Sequence, residues 1–319
     1  MDEYEIVTNP DSQRWVDIVK MSQAEEEFGW KPSKHDYASY MNGYGKDGKF
    51  RALFLVDPKT RETVASVMAA IVETETYNKL MTIGYFFVKK ELRGSGLGGQ
   101  LFKKLCGEEE QQGMNLFLTA APDMSVKYAA KHGFVEFSWH IAVLVTKMSD
   151  LDLANFEVDN SIQVSNIDHI AWDQIVSYDE LVQGHVKRAN FLKAFLSQEG
   201  AVNKFVMNDM GTVVGYCNVR IVGIKENHLL IAPFYAQDKD IAAALLKGTL
   251  AAFGEKLQSF DTVVMCPPKH NQEAFDLINA VSHGKTELTT SYPRQFTKIV
   301  IPAKEGMIYS ISDYVLGHA

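Results

Sequence analysis

From Ile83 to Gly99 an apolar, aromatic run ends in Lys89 and Lys90 and passes into a loop dense in glycine. Leu97, Leu101 and Leu105 then recur every four residues, with Phe102 and Cys106 beside them, and Gly113 stands where a helix would stop. A glycine-rich turn from strand to helix lets backbone N–H groups approach an anion closely, and the helix N-terminus adds roughly half a positive charge. The chemistry this spacing supports is phosphate binding. Gly94, Gly96 and Gly99 satisfy the dinucleotide pattern G-x-G-x-x-G, yet Lys89 to Arg93 separate the strand from the first glycine. No Lys-Ser or Lys-Thr follows the glycines, so a P-loop is excluded.

The run Arg93-Gly94-Ser95-Gly96-Leu97-Gly98 resembles the R/Q-x-x-G-x-G/A signature of the GCN5-related N-acetyltransferase (GNAT) superfamily. The resemblance implies that these six residues bind the pyrophosphate of acetyl-CoA and that Phe87 and Val88, on the preceding strand, pair with pantetheine. A second phrase, Tyr128-Ala129-Ala130-Lys131-His132-Gly133-Phe134, resembles the family's helix-end motif Tyr-x-x-x-Gly-Phe. Together the two motifs carry the resemblance over residues 1–147. In the family the tyrosine protonates the leaving thiolate, and Tyr128 is the expected counterpart. It sits one residue early, and one helical residue is a rotation of about 100°. Where some members carry a glutamate base, Thr82 stands here, and a hydroxyl accepts no proton usefully at neutral pH. Glu73 is the expected replacement base, with Glu75, Asp36, His35 and His140 as further candidates. Trp30, Asp36 and Tyr85, together with His35 and Tyr37, are expected to face the acceptor, although a capped turn with one packed aromatic is the better account of Trp30, His35, Asp36 and Tyr37.

The elements that position these residues follow from periodicity. Residues 4–8 read as a strand, a helix starts after Asp11-Ser12, Gly29-Trp30-Lys31-Pro32 breaks it, and His35-Asp36-Tyr37 opens a second helix. Phe50–Val56, Thr63–Glu73 and Thr82–Val88 read as antiparallel strands. After the glycine loop come a helix, a buried strand at Leu116–Thr119, a short helix from Ser125 to His132 and a strand from Phe137 to Val145.

The acidic, polar stretch Ser149–Ser161 divides the chain, and the expected organisation is residues 1–147, a linker at 148–163, and residues 164–319. The second part repeats the first in outline, with its last strand placed at Phe296–Ile301. Gly215 to Arg220 and Ile231 to Ala236 resemble the C-terminal half of tandem GNAT proteins related to holothin acetyltransferase, and Gly29-Trp30 with Asp36 resembles their N-terminal half. The fold class expected is α/β (α+β): two tandem GNAT-like domains, each a mixed, mostly antiparallel central sheet flanked by helices. In the second, the loop Tyr235–Asp240 has no glycine and carries Asp238 and Asp240, which would repel a pyrophosphate, so a degenerate domain without CoA is expected. Its role would be to complete the acceptor pocket, with Arg220, and also Arg188, Tyr292 and Arg294, as contacts.

The remaining composition narrows the function classes. The chain has 319 residues, 46% of them hydrophobic and 23% charged, with a formal net charge of −8, which argues against nucleic acid or an anionic membrane as partner. Cys106, Cys217 and Cys266 are widely spaced and the histidines show no ligand spacing, so neither a disulfide frame nor a metal site is expected. The acidic N-terminus and the lack of any long apolar run point to a cytoplasmic protein. The expected function is acetyl-CoA-dependent N-acyl transfer to the primary amine of a small molecule or peptide. The competing class is a non-catalytic acyl-CoA binding or sensing protein.

Overall fold

The computed structural model describes residues 3–24, 30–223, 225–313 and 315–318. The first half runs β1 (Glu5–Thr8), α1 (Ser12–Ala24), α2 (Asp36–Tyr44), β2 (Phe50–Val56), β3 (Thr63–Thr74), β4 (Asn78–Val88), α3 (Leu97–Gln111), β5 (Asn115–Thr119), α4 (Pro122–His132) and β6 (Glu136–Lys147). The second runs β7 (Val164–Ser165), α5 (Trp172–Val182), β8 (Val186–Lys187), α6 (Ala189–Leu196), β9 (Val202–Met207), β10 (Val213–Val222), β11 (His228–Ala236), α7 (Lys239–Ala251), β12 (Thr262–Met265), α8 (Gln272–Val281), β13 (Glu287–Phe296) and β14 (Ile308–Ser310). Gly29, part of the expected helix break, lies outside the described residues.

Both halves share one sheet, in the order β1-β2-β3-β4-β5-β13-β6-β12-β11-β10-β9-β7. Each half therefore lends a strand to the other. β13 lies between β5 and β6, and β6 in turn pairs with β12, as Val264↔Val145 and Met265↔Leu144 show. A strand's alternation is the same whichever neighbour it finds, which is why the pattern of residues 137–145 does not disclose this exchange.

One expected strand is corrected. The last long strand is Glu287–Phe296, and residues after Phe296 leave the sheet until β14. Its first half is polar and exposed, and Pro293 interrupts it, so it lacks an apolar signature. The proline is tolerated because the register shifts between Pro293 and Gln295, a bulge that requires no ladder N–H there.

The two faces of the first half are distinct. On one, the stripe Leu97, Leu101, Phe102, Leu105 and Cys106 of α3 is buried against Met81, Ile83, Phe86 and Val88 of β4. On the other, Trp15, Tyr37, Tyr40 and Tyr85 join α6 and the C-terminal segment in one core that spans both halves. None of the described helices is long and apolar enough to cross a membrane.

Candidate functional site

On β4, Met81 and Ile83 face α3, and so do Phe86 and Val88. The alternation slips by one at Gly84 and Tyr85. Ser66 pairs with Phe87 and Met68 with Gly84, so Val67 alone opposes Tyr85 and Phe86. This β-bulge sets Tyr85 at φ +48°, a region that costs an aromatic residue about 1–3 kcal/mol, and the Ser66 hydroxyl secures it by donating to the Tyr85 carbonyl at 2.8 Å. The parallel pairing of β4 with β5 ends just before, at Ile83↔Leu118. Beyond that point no described strand pairs with residues 84–88 on that side. The Lys89 N–H bonds to Val64 of β3, so by alternation the Val88 N–H points toward the open side and the Phe87 N–H does not. Of the two expected donors, Val88 is the one available to a ligand lying along this edge.

The glycine loop follows directly. Gly94 and Gly96 adopt φ +82° and +88°, conformations that side chains resist. Gly98 lets α3 rest on the strand, since a Cβ there would lie 3.2 Å from both Phe86 and Val88. Arg93 donates from Nε to the Val88 carbonyl at 2.9 Å and sets its guanidinium 5.7 Å from the Phe87 ring centre, while the Ser95 hydroxyl donates to Leu92 at 2.6 Å. Gly96 caps α3 without a side chain, so its first turn faces an exposed loop, with the Leu97 N–H reaching Ser95 Oγ at 3.4 Å. Lys103 and Lys131 line a shallow groove beside Gly99. The result is a bare helix N-terminus next to an open strand edge. Such a site takes an anion and an extended amide-bearing chain.

The second half keeps the bulge and loses the opening. Val219 pairs with Ile231 and Cys217 with Phe234, so Asn218 opposes Ala232 and Pro233. β11 parts from β12 after Ile231↔Met265, but β14 enters the gap, pairing Phe234 with Ser310 and Tyr235 with Ile308. Ser310 Oγ accepts the Cys266 N–H at 2.7 Å, and Ile311 donates to the Cys266 carbonyl at 3.0 Å. At the start of α7 the Asp238 carboxylate accepts the N–H groups of Asp240 (3.1 Å) and Ile241 (3.0 Å). A tethered carboxylate thus occupies the position a phosphate would take. Replacing Asp238 by Ala is expected to leave CoA affinity unchanged while costing about 0.5–2 kcal/mol of stability through the lost cap; titration calorimetry and chemical unfolding check the two arms.

The expected catalytic residues do not gather at the bulge. Glu73 pairs with Lys79 at the far end of β4, nine residues from Val88, or about 30 Å at strand rise. It is exposed, ion-paired with Lys49 at 3.0 Å, and held below its ordinary pKa by that lysine. Glu73 is therefore corrected from base to surface ion pair. The Tyr128 ring packs against Phe102 (6.2 Å) and Phe134 (6.1 Å) in the core under α3, and burial pushes its hydroxyl's pKa up. The one-residue shift in the motif is consistent with this: the ring packs in the α3–α4 seam.

Of the expected acceptor contacts, Trp30 meets Tyr85 edge-on at 5.3 Å. Asp36 and Arg220 are both buried and ion-paired with each other; Asp36 also accepts from Ser33 N–H (2.7 Å) and Gln198 (2.9 Å). Their charges neutralise each other across the two halves, so they act as a structural pair rather than as substrate contacts. Arg188 is likewise engaged, bidentate with Asp179 at 2.8 and 2.7 Å.

What sequence reasoning missed is the C-terminal segment. After β14 it crosses the bulge on the face away from α3: a Cβ on Gly84 would lie 2.1 Å from the Val315 carbonyl oxygen. Asp313 is buried there and accepts from the Tyr40 hydroxyl, which lies 3.3 Å from that of Tyr85. Burial foremost, and then Asp36, raises the Asp313 pKa above the usual carboxylate range. No local pattern marks this residue.

Comparison with known proteins agrees with this geometry. Residues 15–134 match the model described as Acetyltransferase (GNAT) family, and residues 175–291 match that described as Acetyltransferase (GNAT) domain. An uncharacterized protein of Caenorhabditis elegans is 24% identical over 259 residues, covering 76% of this chain and 75% of its own. Among solved structures, a protein from Pyrococcus horikoshii assigned as an acetyltransferase superposes with a TM-score of 0.70 at 17% identity, over 99% of this chain and 97% of that one. A tandem GNAT protein from the clavulanic acid biosynthesis pathway gives 0.66 at 14% identity, over 92% and 98%. Both matched regions carry the fold, and the first alone carries the glycine loop. The chain belongs to the GNAT superfamily as a tandem member, a family whose general chemistry is acyl transfer from acyl-CoA.

Proposed function

We propose that the chain transfers an acetyl group from acetyl-CoA to a primary amine, with the first half binding CoA and the second completing the acceptor side. The observation that carries this reading is a coincidence at one bulge. The bare α3 N-terminus and the open β4 edge lie on one side of it, and a buried carboxylate, Asp313, lies on the other. The pyrophosphate would rest on residues 93–98 and pantetheine along Val88. Asp313 takes a proton from the ammonium, aided by its raised pKa. The freed nitrogen attacks the thioester carbonyl, the oxyanion collapses, and the C–S bond breaks with no covalent enzyme intermediate, the second nitrogen proton passing to the departing thiolate. A thiolate with an ordinary pKa near 8.5 leaves with little help, so no tyrosine acid at position 128 is required.

The displaced Tyr128 ring favours a second reading, an acyl-CoA binding or sensing protein. Release of free CoA thiol from acetyl-CoA across a broad panel of amines separates the two. Amine-dependent thiol release, saturating in the amine, is the expected result. Tight CoA binding with no thiol released by any amine would overturn the transferase reading.

A further inference from the structure

Three arginines are buried, and for one of them no described carboxylate stands within ion-pair distance, Glu305 acting on it only from farther away. Arg188 has Asp179 and Arg220 has Asp36. Arg294 of β13 is fully buried, yet no described carboxylate lies within ion-pair distance of it. Its guanidinium stacks 3.8 Å from the Trp139 ring centre and 5.0 Å from that of Phe117. Nη1 donates to Ser138 Oγ at 3.0 Å and Nη2 to the His318 carbonyl at 2.5 Å, while Nε has no acceptor. Burial presses its pKa down to about 9.

The unmet polar atoms cluster around it. Thr119, which pairs with Arg294 across the sheet, has a buried hydroxyl without a partner. The His318 ring meets Phe117 at 5.5 Å, and its nitrogens lie beside the Ile301 backbone without a well-aligned hydrogen bond. Burial first, then Arg294 and Arg188, hold His318 well below its usual pKa, so it is a neutral imidazole with one N–H to give. A buried charge without a counter-charge is strongly unfavourable, and unmet donors beside it add to the cost. The aromatic faces offset part of this, and an anion would satisfy the rest.

We propose that Arg294, with the Thr119 hydroxyl and the His318 imidazole, receives a carboxylate on the acyl acceptor. This rests on the transferase reading above. Thr119 follows Leu118, the partner of Ile83, which places Arg294 two strands from the bulge, or about 10 Å at sheet spacing. With about 3 Å taken up by contact at each end, amine and carboxylate stand about 4–7 Å apart. That exceeds an α-amino acid and suits one to two residues of extended chain. The acceptor class is an amine bearing a carboxylate at dipeptide length. Its carboxylate displaces the His318 carbonyl from Nη2 and engages the fork side-on.

The test uses the full chain with bound CoA and matched pairs of dipeptides and ω-amino acids, each as free acid and as C-terminal amide. Trp139 fluorescence reports binding without turnover, with Trp139→Phe as the control for signal origin. Free acids are expected to bind about 10- to 100-fold more tightly than their amides, and Arg294→Met to reduce that preference to about onefold. Arg294→Met strands no counter-charge but takes the donor from Ser138 Oγ and the His318 carbonyl, so its melting temperature is expected to stay within a few degrees of the parent. Equal binding of acids and amides, or an acid preference that survives Arg294→Met, overturns the carboxylate site. Acid-selective binding without thiol release retains the site while rejecting the transferase reading.

Discussion

Exchange of Gly96 for Asp is expected to reduce acetyl-CoA affinity by about 100-fold or more, with a melting temperature within about 2 °C of the parent. Gly96 is the residue that caps α3 without a side chain. An aspartate there would place a carboxylate beside the first-turn N–H groups that a pyrophosphate needs, although from a left-handed backbone rather than the extended one from which Asp238 caps α7. It would also set a fixed negative charge against the phosphates, worth about 1–4 kcal/mol at 4 Å for an effective dielectric between that of water and that of a protein surface. The backbone conformation at φ +88° costs a side chain about 1–2 kcal/mol. In a chain of this length such a change moves the melt by about 2 °C. Gly96→Asn separates the causes, having the same shape without the charge. Comparable losses for Asn and Asp would assign the effect to occupancy of the N–H groups, and retained affinity in the Asp variant would place the cradle elsewhere.

This experiment in effect converts the first half into a copy of the second. Both halves carry the same bulge, one opposite Val67 and the other opposite Asn218. The difference between them is local at the loop and non-local at the strand edge. The loop difference was legible: Gly94, Gly96 and Gly98 against Asp238 and Asp240 are contiguous residues whose chemistry does not depend on distant partners. The edge difference was not, because what fills the second opening is β14, far along the chain from β11 and only three residues long.

The same distinction sorts the other residues. Asp36 and Arg220 were visible as charges, but their pairing joins positions 184 apart, and no spacing rule reaches that far. Tyr128, expected as the acid for the thiolate despite its one-residue offset, has its ring between Phe102 and Phe134, a placement the offset on a helix is consistent with. Glu73 failed for a different reason. The strand was assigned correctly, but Glu73 ends the strand that leads into the β3–β4 turn while the glycine loop follows the other end of β4, so the antiparallel hairpin itself holds Glu73 away from the loop. The exchange of β6 and β13 was hidden by the symmetry of strand patterns, and with it the position of Arg294 near the bulge.

Asp313→Asn is the second change with a large expected effect, and activity and stability should move in opposite directions. Tyr40 and Asp313 are 273 residues apart in sequence, and their hydrogen bond fixes the carboxylate above the bulge. As base, Asp313 must be ionised, so turnover should rise with pH through a folded pKa above the ordinary value near 3.9 and be lost as pH falls below it. Stability runs the other way. A pKa raised by burial means the fold favours the protonated acid; its contribution is full below the ordinary carboxylate pKa and is lost as pH rises through the raised one. Asparagine removes the buried charge and keeps one oxygen, which can hold the Val315 N–H while the Tyr40 hydroxyl turns to Tyr85. At neutral pH the variant should therefore melt at or above the parent temperature, while kcat falls about 10²- to 10⁴-fold and the acid limb of the pH profile disappears. Tyr40→Phe supplies an independent check: that hydrogen bond lowers the Asp313 pKa, so its removal should move the acid limb to higher pH without abolishing it. A simultaneous drop in melting temperature and rate, with the acid limb intact, would make Asp313 a structural residue. Full activity in Asp313→Asn would place the base elsewhere.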